Sequence, residues 1–180
     1  SACMFSILNI CQAGDHVIAS SSIYGGTFNL FDVSLRKLGI DFTFVDPDAD
    51  KETILACARP NTKVLFGETI ANPGMNILDF DKFSSIAKQL DVPFIVDNTL
   101  ATPYLCRPFE HGADIIVHST TKYTDGHATS LGGILIDGGS FNWNNGKFPG
   151  LTEPDPSYHG LEYVKIFGAS AYIVKARTHL

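Results

Sequence analysis

The sequence predicts a three-layer αβα domain of the α/β class, in which helices cover both faces of a mainly parallel β-sheet. Short apolar runs rich in β-branched residues recur along the chain, segments with helical spacing separate them, and the two kinds alternate. Runs that are apolar at nearly every position are typical of strands buried on both faces. Because alternating strands and helices connect through right-handed crossovers, most strands should be parallel.

Five apolar runs are predicted to be strands. They occupy residues 16–20, 41–46, 62–68, 93–99 and 115–119. Polar side chains follow several of these runs at their carboxyl ends. Open α/β sheets bind ligands at that edge, so the residues just after each strand are the first candidates for a functional site.

The clearest helical periodicity follows the first strand. Phe28, Phe31, Leu35 and Leu38 recur on one face, and Gly39 follows them as a natural left-handed stop. This pattern predicts one amphipathic helix that ends at Gly39.

Two more helices are predicted between later strands. The apolar stripe from Phe80 to Leu90 has Asp79 as a suitable N-cap and Pro93 just beyond its end. A shorter helix is predicted over residues 50–59, closed by Pro60.

The patterns of residues at both ends of the chain predict that the domain is incomplete. Residues 2–12 form a helix that is apolar nearly all round, and residues 166–179 predict a helix still running where the sequence stops. Residues 137–160, rich in Gly, Asn, Pro and Asp, predict a long irregular insertion, and loops of that length are usually functional or disordered. We therefore expect residues 1–180 to be the core of a larger protein.

Composition narrows the functional class. The 180 residues carry a formal net charge of −6 and are 44% hydrophobic, and no basic run suits nucleic acid or an anionic membrane. No apolar stretch is long enough to span a membrane. Cys3, Cys11, Cys57 and Cys106 show no CxxC pairing, which favours buried thiols in a reducing compartment. We expect a cytoplasmic location.

The strongest local signal for chemistry lies at residues 115–123. A predicted buried strand ends here, which places the hydroxyls of Ser119 and Thr121, followed by Lys122, at the carboxyl edge of the sheet. A lysine at such a position can be desolvated into a nucleophilic amine, and neighbouring hydroxyls can bind an anion such as phosphate. The motif by itself is equally compatible with a surface lysine in a Ser/Thr turn.

A second signal is Asp97, at the end of the apolar run that precedes the lysine strand. A carboxylate there needs a cationic partner, because burying an unpaired charge is costly. A protonated pyridine nitrogen would serve, and pyridoxal phosphate (PLP) needs an acidic partner at that atom. A metal-binding or capping Asp is the alternative.

Two further motifs follow strands. Tyr24 precedes Gly25 and Gly26 at the start of a helix, where its ring could stack on a flat aromatic ligand. Glu68 opens a segment that reaches Asn72, whose side chain could donate a hydrogen bond to a phenolic oxygen. Both motifs also occur in ordinary turns.

Together these motifs resemble the Cys/Met-metabolism family of PLP-dependent enzymes, the gamma-family of fold type I. The resemblance extends over essentially the whole chain, and residues 24–27, 68–73, 97–99 and 119–123 match in order and approximate spacing. It implies the large-domain core of a PLP-dependent transferase.

The resemblance also implies a role for each matching residue. Lys122 would form the Schiff base and later move protons, Asp97 would pair with the pyridine nitrogen, and Tyr24 would stack on the ring. Asn72 would contact the 3-oxygen of the cofactor.

The remaining implied contacts concern the phosphate and the rim of the site. Ser119 and Thr121 would hold the phosphate, and Thr99 and Glu68 complete the set of cofactor-binding residues. No metal is expected, since His118 and His127 flank the lysine without a third ligand at suitable spacing.

Within the family, two features favour the branch that replaces the acetate of O-acetylhomoserine by sulfide or methanethiol, giving homocysteine or methionine. They are the insertion at residues 137–160 and Gly26, where methionine gamma-lyases often have a cysteine. Cystathionine gamma-synthase or methionine gamma-lyase activity is the alternative within the family. A non-catalytic fragment that binds PLP or a subunit is the alternative from another class. A dinucleotide-binding domain is disfavoured, because no GxGxxG follows the first strand.

The resemblance also identifies parts of the family pattern that this sequence lacks. A phosphate-binding glycine would precede Ser1, and so would a Tyr and an Arg supplied by a neighbouring subunit. The arginine that binds the substrate carboxylate belongs to a C-terminal domain beyond Leu180. We therefore expect a homo-oligomer, a dimer of dimers in the full enzyme, and an isolated 180-residue chain that is inactive.

Overall fold

A six-stranded sheet forms the centre of the computed structural model, which describes residues 1–179. All five predicted strands are present, and a sixth follows them. They are β1 (His16–Ser20), β2 (Asp41–Val45), β3 (Thr62–Glu68), β4 (Phe94–Asp97), β5 (Ile115–Ser119) and β6 (Gly133–Asp137). The strand order is β2-β1-β3-β4-β5-β6, and β1 to β5 are parallel. The predicted α/β class is confirmed.

Strand β6 was not predicted, and it is the one antiparallel member among the described strands. The link from β5 to β6 contains turns but no helix, so the chain reverses beside β5 instead of crossing over the sheet. Several β6 residues are exposed or partly buried, as expected for an edge strand.

Helices cover both faces of the sheet. They are α1 (Ala2–Leu8), α2 (Gly25–Asn29), α3 (Lys51–Ala56), α4 (Phe80–Leu90), α5 (Thr102–Leu105), α6 (Pro149–Thr152), α7 (Tyr163–Phe167) and α8 (Ala171–Thr178). The predicted N-cap of α4 is confirmed, because Asp79 accepts a hydrogen bond of 2.9 Å from the backbone N–H of Lys82.

Three helix predictions need correction. The segment before Gly39 is not one α-helix: α2 passes into a π-helix over Leu30–Leu35 and a 3₁₀ turn over Arg36–Leu38. Gly39 itself has φ of 82° and ends the segment as predicted. The helices predicted over residues 2–12 and 50–59 are shorter, since α1 ends at Leu8 and α3 at Ala56.

The helix predicted over residues 166–179 is also broken. Gly168 has φ of 52° and separates α7 from α8, with a 3₁₀ turn over Gly168–Ser170 between them. Helix α8 ends at Thr178, and His179 is the one described residue that follows it. A residue with positive φ interrupts the helical hydrogen-bond ladder, which explains the break.

The core consists of two hydrophobic layers, one on each face of the sheet. Phe66 and Ile95 point into the layer that contains α1, while their neighbours Leu65 and Val96 point into the layer that contains α4. This alternation along buried strands is the two-faced burial expected of a three-layer domain.

Residues 137–160 are only partly irregular. Trp143, Phe148 and Leu151 are buried, and the Trp143 ring stacks on Tyr172 of α8 with 5.1 Å between centroids and 7° between planes. These aromatic contacts fix the segment against the same layer as α1. Through residue 179, every helix is too short or too polar to cross a bilayer.

Candidate active site

The carboxyl ends of β1, β3, β4 and β5 surround a cavity with about 470 Å³ of open space. Its lining consists of Tyr24, Glu68, Ile70, Asn72, Asp97, Thr99, Leu100, Ser119 and Lys122. Every predicted site residue except Thr121 is in this lining. Residues far apart in sequence therefore meet because parallel strands end at one edge of the sheet.

The Asp97 carboxylate is the last residue of β4, and both of its oxygens accept hydrogen bonds. Oδ1 accepts one of 3.0 Å from the Thr99 backbone N–H and a second from the Thr99 hydroxyl. Oδ2 accepts one from the Cys3 thiol, with 3.5 Å between Sγ and Oδ2. Within residues 1–179, no Lys, Arg or His nitrogen forms an ion pair with Asp97.

Thr99 connects two strand ends. Its hydroxyl donates to Asp97 and accepts a hydrogen bond of 2.8 Å from the Ser119 backbone N–H. The side chain of Asn98 reinforces the same edge, because it accepts from the Thr69 hydroxyl at 2.8 Å and donates to the Cys106 carbonyl at 2.9 Å. The relative positions of Asp97 and Ser119 are thus determined by side chains as well as by the sheet.

Glu68 anchors the loop that carries Tyr24. Its Oε1 accepts a hydrogen bond of 2.8 Å from the Tyr24 backbone N–H. Burial raises the pKa of the Glu68 carboxyl to about 7, and the nearby Asp97 charge adds to the rise, while hydrogen bonds from the backbones of Tyr24 and Asn72 oppose it. The hydrogen bond from the Tyr24 backbone to Glu68 thus helps to position the ring of Tyr24.

The Tyr24 ring is half exposed and lies over Gly26. A Cβ atom added at Gly26 would be 2.5 Å from Cε1 of the Tyr24 ring. The absence of a side chain at residue 26 therefore permits this ring position, in which an aromatic face is available for stacking.

Lys122 lies in the turn after β5 and is exposed to the cavity. Its backbone N–H donates to the Ser119 carbonyl at 3.3 Å, which keeps the lysine next to the end of the strand. In the part of the chain that the structure describes, its Nζ has no carboxylate partner. A primary amine is thus available at the edge where ligands bind.

The structure does not bring Thr121 into the cavity lining. Its hydroxyl donates to the Gly132 carbonyl at 3.2 Å and accepts from the Gly132 backbone N–H at 3.0 Å. Residues i and i+2 of a strand share a face, but β5 ends at Ser119 and the chain then turns, so Thr121 does not keep the orientation of Ser119. Thr121 connects the two sides of the loop that contains Lys122.

A second, adjoining cavity extends from Asp97 and Ser119 toward the start of α1. Its walls include Cys3, Thr27, His118, Gly132 and Gly133. The sequence analysis did not assign Cys3 or Thr27 to the site, and it considered His118 only as a metal ligand that lacks suitable partners. Burial lowers the pKa of the His118 imidazole, while the Asp97 charge and a hydrogen bond with the Asn98 backbone oppose this shift.

Within the described residues, a mainly parallel sheet has an exposed lysine, a carboxylate without an ion pair and an aromatic ring at one edge, an arrangement that fits the class of PLP-dependent enzymes of fold type I. Residues 1–152 match the sequence profile of the Cys/Met metabolism PLP-dependent enzymes, and the chain belongs to that family.

Curated relatives include O-acetyl-L-homoserine sulfhydrylases. The Leptospira meyeri protein of that name is 50% identical over 98% of this chain and 42% of its own length, and the Corynebacterium glutamicum protein is 47% identical over 97% and 41%. The chain therefore spans less than half the length of these relatives.

The solved structures that match include a Campylobacter jejuni protein described as an O-acetylhomoserine (thiol)-lyase, which carries a pyridoxyl-lysine phosphate. It has a TM-score of 0.93 and 39% identity, and the match covers 99% of this chain and 44% of that one. The cystathionine gamma-lyase of Lactobacillus plantarum has a TM-score of 0.68 and 38% identity, and that match covers 75% of this chain and 34% of the other.

The residues of the cavity fit PLP. The Asp97 carboxylate lacks a cation among the described residues, and a pyridinium nitrogen would supply one. The Lys122 amine, the Tyr24 ring and the Ser119 hydroxyl lie in the same lining, where they can contact the aldehyde carbon, the ring face and the phosphate.

Proposed function

We propose that this chain is the cofactor-binding core of an enzyme that replaces the acetate of O-acetylhomoserine by sulfide or methanethiol, giving homocysteine or methionine. The observation that carries the proposal is the extent of the structural match. It covers 99% of this chain for the O-acetylhomoserine (thiol)-lyase but 75% for the cystathionine gamma-lyase. The anchored segment at residues 137–160 is in keeping with this branch.

Each cavity residue has a task in the proposed reaction. Lys122 would hold the cofactor through its amine, and once the amino group of the substrate has displaced it, its free Nζ would accept the proton from the α-carbon of the substrate. Asp97 keeps the pyridine nitrogen protonated, and Tyr24 fixes the ring plane. When bound, PLP supplies the electron sink for this chemistry.

The other lining residues orient the cofactor. Asn72 contacts the 3-oxygen, Ser119 contacts the phosphate, and Thr99 holds the Asp97 carboxylate and the Ser119 backbone together. Glu68 holds the backbone of Tyr24 and acts on the cofactor through that loop. Thr121 has the smaller task of fixing the loop that contains Lys122, through its hydrogen bonds with Gly132.

We also propose that the working enzyme is a longer polypeptide in a cytoplasmic homo-oligomer, with a C-terminal domain for substrate binding. The support is that the chain spans 42% and 41% of two sulfhydrylase relatives that match nearly all of it. Residues 1–180 expressed alone should bind PLP weakly and turn over no O-acetylhomoserine. A soluble monomer with one PLP per chain and full activity would contradict this.

Borohydride reduction and peptide mapping test the site. In the full-length protein loaded with PLP, reduction should attach a pyridoxyl group to Lys122. Attachment to Lys63 or Lys88 instead would overturn the assignment.

Side-by-side turnover tests the reaction. O-acetylhomoserine with sulfide or methanethiol should react faster than cystathionine or methionine is cleaved. Faster cleavage of methionine would assign the protein to the gamma-lyase branch, and PLP binding without turnover of any of these substrates would indicate a non-catalytic protein.

A further inference from the structure

A cysteine thiol contacts the carboxylate on which the proposed chemistry depends. Cys3 lies in α1, and its Sγ is 3.5 Å from Oδ2 of Asp97, 94 residues away in sequence. The Thr27 hydroxyl points at the same sulfur, with 4.0 Å between Oγ1 and Sγ. Cys3 also lines the cavity that adjoins the candidate active site.

The thiol is a donor in this contact. Burial raises the pKa of the Cys3 thiol well above its ordinary value, and the carboxylates of Asp97 and Glu68 raise it further. Cys3 therefore keeps its proton over the pH range in which enzymes work. Because a thiol is a weak donor, Oδ2 keeps most of its strength as an acceptor.

Both oxygens of Asp97 are then held by different parts of the fold. Thr99, two residues along the chain, holds Oδ1, and Cys3, from a helix on one face of the sheet, holds Oδ2. Rotation about the Cβ–Cγ bond moves both oxygens, so the bonds from Thr99 to Oδ1 resist it and the bond from Cys3 to Oδ2 adds to that resistance. A fixed plane matters wherever an acceptor must meet a single N–H at a set angle.

We propose that Cys3 is a positioning residue that fixes the plane of the Asp97 carboxylate toward the pyridine nitrogen of the cofactor. The inference rests on the proposed function, since it assigns Asp97 to that nitrogen. Cys3 acts through Asp97 and does not itself touch the cofactor. Its removal should weaken PLP binding by a modest factor, because a thiol hydrogen bond contributes less than one from a hydroxyl or an amide.

The first test needs no cofactor and no change at Cys3. The S–H stretching band of a hydrogen-bonded thiol lies at lower wavenumber than that of a free one. In the full-length protein without PLP, Asp97→Asn should shift one S–H band, and Cys3, located by peptide mapping, should be alkylated faster than in the parent. An unchanged set of S–H bands would overturn the contact.

The second test is a double-mutant cycle on PLP affinity in the full-length protein. Cys3→Ala should raise the Kd for PLP roughly fivefold in the parent but less than about twofold in a protein that already carries Asp97→Asn. Cys3→Ser should recover part of the loss. Cys11→Ala is the control, because Cys11 is a buried thiol that forms no hydrogen bond with Asp97.

The outcomes separate the two proposals. A parent protein that takes up no PLP would contradict the proposed function whatever Cys3 does. If the parent binds PLP and Cys3→Ala leaves the Kd unchanged, or raises it equally with and without Asp97→Asn, the positioning role alone is overturned.

Discussion

The charged residues at the edge strand β2 and those in the cavity are arranged in opposite ways. At β2, Asp41 accepts hydrogen bonds from the guanidinium groups of both Arg36 and Arg59, and Arg36 also donates to Asp32 at 2.9 Å. The Arg59 guanidinium, followed by the Phe42 backbone N–H and Arg36, holds the pKa of the Asp41 carboxyl below its usual value. Every charge in this surface network has an opposite charge beside it.

The cavity has similar residue types but lacks such pairing. Within the described residues, Asp97 and Glu68 have no cationic partner, and Lys122 has no anionic one. Folding alone gains little from leaving charges unmatched in a partly buried place, because each loses hydration without a compensating partner. The difference supports the proposal that the cavity is complementary to a ligand with both a cationic and an electrophilic group, whereas the charges at β2 neutralise one another.

The largest expected effect comes from substituting Lys122, whose amine has no anionic partner within the described residues. Lys122→Ala in the full-length enzyme should lower turnover by about 10³-fold or more, because it removes both the covalent attachment and the base. Steady-state sulfhydrylation rates measure the loss. Lys88→Ala, at a lysine outside the cavity lining, should keep the parent rate. Loss of less than about tenfold at Lys122 would show that another amine does this work.

The paired and unpaired carboxylates can be compared directly. Asp97→Ala should reduce turnover by about 10²- to 10³-fold, as expected for a charge-stabilising group in a desolvated site. The matched change Asp41→Ala should leave turnover within about twofold and cost little stability, since exposed ion pairs contribute about 0 to 1 kcal/mol. Equal effects of the two substitutions on turnover would remove the distinction between the regions.

The Glu68 carboxyl predicts a pH-dependent stability. Its pKa in the folded protein, about 7, is above its ordinary value of 4.5, so the folded state binds the proton more tightly than the unfolded chain does. The stability that it contributes is fully present below pH 4.5 and is lost as the pH rises through about 7. The loss should approach roughly 3 kcal/mol from the size of the shift.

Denaturant unfolding of the full-length protein without PLP, at pH 5.5 and pH 8, measures this effect. Glu68→Gln keeps an oxygen acceptor for the Tyr24 N–H but cannot ionise, so its stability should change less between the two pH values than that of the parent. An identical pH dependence in the two proteins would show that Glu68 ionises normally.

The smallest expected effect concerns the Tyr24 ring. Gly26→Ala places a Cβ 2.5 Å from Cε1 of the ring and should displace it, weakening PLP binding by roughly three- to tenfold. Gly25→Ala is the control, because a Cβ at Gly25 meets nothing within 4 Å. Titration of PLP into both variants, followed by absorbance, measures the difference. Equal Kd values would show that the ring position is unimportant.

Sequence patterns correctly predicted the parts of the molecule whose structure depends on one strong local pattern of residues. Buried parallel strands are apolar at nearly every position, so β1 to β5 were all located, and the cavity residues that directly follow them were identified. The N-cap at Asp79 was predicted correctly because capping is a local interaction. Strand β6 was missed because it is an edge strand between glycine-rich segments, where burial leaves a weaker pattern.

The remaining differences depend on contacts that sequence spacing does not encode. Thr121 has the residue type of an anion-binding hydroxyl, but its position depends on the path of the loop and on the backbone of Gly132. Cys3 contacts Asp97 only because α1 packs beside the strands, a tertiary arrangement across 94 residues. The aromatic anchoring of residues 137–160 also depends on Tyr172, which comes later in the chain.

The hydroxyl of Thr99 gives the site a property of its own. The Thr99 hydroxyl donates to the Asp97 side chain and accepts from the Ser119 backbone. These two hydrogen bonds fix the distance between the ends of β4 and β5. Under the proposed function, Asp97 meets the ring nitrogen of the cofactor and Ser119 its phosphate, so the distance between those two groups must match this separation. Cofactor-like compounds of another length should therefore bind less well.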